Sequence, residues 1–105
     1  MSTEFVNLTP HSIVVEGGPT VPASGTVARC TSLTCPITPP TGGVALVRVV
    51  FGEVVGLPDP TEGVIFIVSG LVRSAVPHRL DVASPGELVR DAAGAVVGCR
   101  NLVVN

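Results

Sequence analysis

The sequence predicts a mainly β protein, a small β-barrel or sandwich of short antiparallel strands with one short helix near 69–76. Two observations lead there. Twelve glycines and ten prolines cut the 105 residues into short apolar segments, which is the punctuation of many brief strands. A single stretch, "SGLVRSAVP", then carries helical signals: Ser69 as N-cap, Leu71, Val72, Ala75 and Val76 inside, and Pro77 as the stop.

The elements follow in order. Residues 4–8 and 12–16 read as strands on either side of Thr9-Pro10-His11. Pro10 lacks a backbone N–H and has a fixed φ, so it suits a bend or an edge. The bend has two readings: a kinked strand whose polar residues face water, or a device that aims Thr9 and His11 at a ligand. "TVPASGTVARC" reads as a short strand, a turn at Ala23-Ser24-Gly25 and a second strand over 26–31. The thirteen residues "TSLTCPITPPTGG" (31–43), rich in Thr and Pro, read as a long loop of the kind that is functional or disordered. Strands are expected over 44–51, 53–56 and 64–68. The last of these, "VIFIVS", is continuously apolar and suits a strand buried on both faces. Strands at 87–90 and 95–99 flank Asp91 and Gly94, the first- and last-position preferences of a type I turn, so a hairpin is expected, with a final strand at 101–104. No linker or internal repeat divides the chain, and residues 1–105 are expected to form a single domain.

Composition bounds the function. Hydrophobic residues make up 46% and charged residues 13%, against about 25% charged in an average soluble domain. So few charges cannot cover a small domain, which predicts exposed apolar surface and a homo-oligomer to hide it. Net charge is −2, and Tyr and Trp are absent. That composition argues against DNA or RNA as partner, through phosphate attraction or base stacking. No apolar run approaches the ~20 residues that span a bilayer. "MSTEF" has neither the basic nor the apolar region of a signal peptide, which predicts a cytoplasmic protein. Free thiols are then expected at Cys30, Cys35 and Cys99.

The candidate chemistry narrows by type. Cys30 and Cys35, with four residues between them, lack the second ligand pair of a structural zinc site, even with Cys99, His11 and His78 in reach, so no metal is expected. The Pro-His dipeptides at 10–11 and 77–78 invite comparison with two-histidine phosphoesterases. Those need a hydroxyl two residues after each His, where this chain has Ile13 and Leu80. No nucleophile elbow or phosphate-binding loop is present, and the carboxylates lie singly. The expectation is a binding protein without catalysis and without a cofactor. An anion would suit the start of the Ser69 helix, with Arg73 one turn on. Arg48, Arg90 and Arg100 sit in apolar strands, where a guanidinium must snorkel, pair or meet a ligand. The expected ligand-binding set is thus Thr9, His11, Arg48, Ser69, Arg73, Arg90 and Arg100.

Three stretches, "NLTPHSIVV", "VVFGEVVGLPDPTEGVIFIVSGLV" and "VRDAAGAVVGCRNL", resemble a family of short proteins of actinobacteria and their phages. Its members open with Asn-Leu-Thr-Pro-His, carry a Gly-Leu-Pro-x-Pro…Gly…Ile-Val-Ser middle and close on Val-Arg-Asp-x-x-Gly. The resemblance covers most of the chain outside 31–43. Small phage proteins of this kind include anti-defence sponges, oligomers that sequester the cyclic nucleotide or cyclic ADP-ribose signals of CBASS and Thoeris. The resemblance therefore implies a nucleotide-binding homo-oligomer that does not cleave its ligand and works in the cytoplasm of the host. The alternative expectation is a structural or regulatory β-domain that docks on another protein.

Overall fold

The computed structural model describes residues 3–105, with the side chains of 38–41 outside the description; Met1 and Ser2 of the polar opening stretch also lie outside it. In chain order the elements are β1 (Glu4–Asn7), β2 (Ile13–Val14), β3 (Thr20–Val21), β4 (Arg29–Thr41), β5 (Val44–Val55), β6 (Val64–Ile67), α1 (Gly70–Ala75), β7 (Val82–Pro85), β8 (Leu88–Arg90), β9 (Val96–Cys99) and β10 (Leu102–Val104). The protein is mainly β with one short helix, as its punctuation predicts. Its strands form one four-stranded sheet, β1-β6-β7-β10, and three two-stranded ribbons, β2-β3, β4-β5 and β8-β9. Among the described residues these do not close into a barrel.

The central sheet is mixed, where the sequence suggests antiparallel pairing throughout. β6 lies between β1 and β7 and is parallel to both, while β10 pairs antiparallel with β7. This placement explains the unbroken "VIFI" run: a strand flanked on both sides in a parallel arrangement is covered on both faces. Phe66 and Ile67 are buried accordingly, and Val68 just beyond them is too. Phe66 and Val82 of the sheet and Val68 just past β6 then pack with Leu8, Ala28, Val72 of the helix and Val76 at its C-cap in one core.

Helix α1 begins where expected. Ser69 takes an extended backbone conformation and its hydroxyl accepts the Val72 N–H at 3.2 Å, the standard satisfaction of a free first-turn donor. Its far end is closed from a distance. The Asn105 amide donates to the carbonyls of Arg73, Val76 and Arg79 at 2.9–3.3 Å.

Two expectations are corrected. The stretch 31–43 is not a loop: β4 runs through Arg29–Thr41 and pairs antiparallel with β5, Leu33 opposite Val50 and Ile37 opposite Leu46. The separate strands expected at 44–51 and 53–56 are one strand, β5. Gly42 and Gly43 form the tip with φ of +62° and +73°, the two left-handed positions that a tight hairpin turn requires. Proline is tolerated here because a two-stranded ribbon consists only of edges, so Pro36 forfeits no central ladder bond. Also absent from the sequence reading is β7. Val82–Pro85 pairs with β6 and β10, and its first three residues are buried.

The β4-β5 ribbon extends from the body as an arm. The chain has a radius of gyration of 16.4 Å and extents of 51 × 39 × 22 Å, against about 13 Å for a compact domain of this length.

Candidate functional site

The bend at Thr9-Pro10-His11 is made by Asn7, a residue the sequence reading passed over. Asn7 ends β1 and is 1% exposed. Its amide nitrogen donates to the His11 carbonyl at 2.8 Å and the Val21 carbonyl at 3.0 Å. Its amide oxygen accepts the Thr9 N–H at 2.9 Å and the Thr9 hydroxyl at 2.6 Å. One side chain thus fastens the bend to itself and to β3, with its buried polar atoms satisfied. Thr9 is spent on this turn: its hydroxyl also lies 2.9 Å from the His11 carbonyl.

The consequence is where His11 stands. Beyond the bend, β2 runs beside β9, and Val15 bridges Cys99. Between them lies a cleft of about 320 Å3, lined by His11, Ser12, Ile13, Val14 and the β9 residues Val96 to Cys99. The lining is mostly apolar, with His11 and Ser12 as its polar residues. Gly98 permits the approach of the two strands. A Cβ there would sit 2.7 Å from the Val14 carbonyl oxygen, closer than backbone tolerates. Gly98→Ala is therefore expected to push β2 off β9, cost about 1–3 kcal/mol in urea denaturation and deform the cleft.

The other expected residues are distributed over the molecule. Ser69 lines a second, shallower groove of about 260 Å3 with Pro10, Val27, Arg29, Cys30 and Leu71. Helix α1 has six residues and its cap already occupies one first-turn N–H, which leaves a short dipole for an anion. Arg73 does not accompany Ser69. Its Nε donates to the Ser84 hydroxyl at 2.8 Å and Nη1 to the Asn105 side chain at 3.3 Å. Arg90 donates to the Gly94 carbonyl of its own hairpin at 2.9 Å. Arg100 lies 3.8 Å from Glu16 and 3.9 Å from Glu87, all more than half exposed, where such contacts add little. Arg48 stands on the arm opposite Cys35, and no salt bridge to it forms among the described residues. Of the seven expected residues, then, His11 borders the apolar cleft and Ser69 the groove, Arg48 stands on the arm, and Thr9, Arg73, Arg90 and Arg100 engage the protein itself.

A second side chain outside that set holds structure. Arg79 forms a two-pronged pair with Asp81, Nε to Oδ1 at 2.7 Å and Nη2 to Oδ2 at 2.8 Å, and Nη2 also donates to the Pro58 carbonyl at 2.9 Å. The pair joins the "GLPDP" connection to the entry of β7. The mutual hydrogen bond raises the Arg79 pKa and lowers that of Asp81, against an opposing effect of burial.

Cys30 is half-buried, Cys35 exposed and Cys99 buried, and none forms a disulfide. Among the described residues no three His, Cys, Asp or Glu side chains gather as metal ligands, and no helix is long and apolar enough to cross a membrane. No protein-family model matches the chain, and no curated protein or solved structure matches it significantly. Fold and site together define a mainly β protein with an apolar cleft at a strand pair and an apolar arm.

Proposed function

We propose that this protein is a non-catalytic sponge of phage anti-defence type, which binds and sequesters a cyclic nucleotide or cyclic ADP-ribose signal of CBASS or Thoeris in the host cytoplasm. The observation that carries this reading is the β2-β9 cleft. Its mostly apolar lining suits the face of a base, and His11, one of the lining residues, can donate a hydrogen bond to a base edge or a phosphate. A volume near 320 Å3 lies at the small end of ligand pockets, so a dinucleotide would extend past the rim. In a homo-oligomer a second copy would cover that overhang, and arm ribbons stacked between copies would supply the sandwich expected from the sequence.

A thermal-shift series against nucleotide second messengers tests the reading. Stabilisation by one class, with the ligand recovered intact after heat release, is the expected result. His11→Ala should weaken that binding about ten- to a hundredfold, the loss of one hydrogen bond to a charged group, with the fold unchanged by circular dichroism. No stabilisation by any nucleotide would overturn the reading. A second reading, a β-domain that docks on another protein, is favoured by the arm, which presents Leu33 at 70% and Val49 at 50% exposure.

A further inference from the structure

We propose that the β4-β5 arm is an exchange arm, whose partner is the arm and body of a second copy of this chain. The register fixes its two faces. Leu33, Ile37, Leu46 and Val50 lie on one, with Cys35 and Arg48 between them; Phe51, Val49 and Val47 lie on the other, with Ser32, Thr34 and Pro36. Both faces are exposed and apolar. A flat surface on a foreign protein would cover one face and leave the other in water. Reciprocal exchange about a two-fold covers both, because each arm lies between its partner's arm and its partner's body. A two-stranded hairpin alone in water is marginal at best, so a ribbon of this length needs such cover.

Charge points to the same occupant. The arm carries Arg29, Arg48 and Glu53, and the rest of the chain carries four arginines against seven carboxylates. The arm is therefore weakly basic and the body acidic, a complementarity that one copy offers another.

The inference stands apart from nucleotide binding, which is measured by thermal shift on the same samples. Sedimentation of the full chain at micromolar concentration should give a multiple of 10.6 kDa that dissociates on dilution. Val49→Glu and Val50→Glu, one on each face, should each raise the dissociation constant about a hundredfold or more, because each would bury an unpaired carboxylate. The native protein gives an independent reading: Cys35 on the arm should react with a thiol reagent more slowly as protein concentration rises. A monomeric mass across the dilution series would overturn the inference and assign the arm to a different protein. Folded Glu variants that keep the native mass, or a Cys35 rate independent of concentration, would overturn it as well.

Discussion

Replacing Asn7 with alanine is expected to destabilise the protein by about 3–5 kcal/mol, because four hydrogen bonds converge on one buried amide and each contributes roughly 1 kcal/mol. The Val21 carbonyl and the N–H of Thr9 would lose their Asn7 partner at once, and the His11 carbonyl would keep only the Thr9 hydroxyl. Since an unmade buried hydrogen bond costs more than a made one contributes, the sum falls at the upper end. For a domain of this size, about 1 kcal/mol moves the melting temperature by ~4–8 °C, so a calorimetric drop of well over ten degrees is expected. Asn7→Asp separates packing from hydrogen bonding. Its carboxylate still accepts from Thr9 but sets an anionic oxygen against two carbonyls. That variant should be at least as unstable as alanine at neutral pH and recover partly on acidification, when the protonated acid donates once. A variant as stable as the parent would show that the bend is held by Pro10 alone.

The second large effect concerns Arg79 and Asp81. Their side chains are 14% and 19% exposed, so the pair is shielded from the solvent screening that weakens surface bridges. Asp81→Asn removes the charge and sets an amide N–H against the guanidinium. The expected loss is about 2–3 kcal/mol in urea denaturation. Its pH dependence has a definite sign. The Asp81 pKa is lower in the folded state than in the unfolded chain, so its stabilisation is fully present above the unfolded value of about 3.9. It is lost as pH falls from there through the folded value. The stability difference between parent and Asp81→Asn should therefore be constant from about pH 5 upward and shrink below about pH 4. A gap independent of pH would show that packing rather than ionisation explains the loss.

These residues also show what a sequence can disclose. Ser69 as a cap and the Asp91–Gly94 turn were legible because each depends on neighbours in the chain, and β6 because a continuous apolar run marks burial whichever strands supply the cover. Gly94 N–H indeed donates to the Asp91 carbonyl at 3.0 Å. Strand β7 was not legible, since Val82-Ala83-Ser84-Pro85 owes its conformation to β6 and β10 on either side. The arm misled through composition: threonine and proline outweighed the Gly42-Gly43 pair between two apolar runs, which is a direct hairpin signal. The arginines were judged by residue type, whereas their partners, the Gly94 carbonyl, Ser84 and Asn105, are set by the fold. Asn7 ahead of Thr9-Pro10 was a local sign of an Asx-type turn that the reading missed, but its longer reach was not legible. Its side chain reaches Val21, fourteen positions away, and no periodicity encodes that.

The parallel pairing of β1 with β6 gives the protein an order of assembly in time. Glu4 waits for Val64, so the first strand to be synthesised has no ladder until well over half the chain exists, and such distant closures are slow. The arm needs only its own two-residue tip, and hairpins close in ~1–10 μs. At ~5–20 residues per second of synthesis, the interval between completion of β5 and arrival of β6 lasts on the order of a second. Throughout that interval the ribbon is complete while the sheet and helix that carry the core are not.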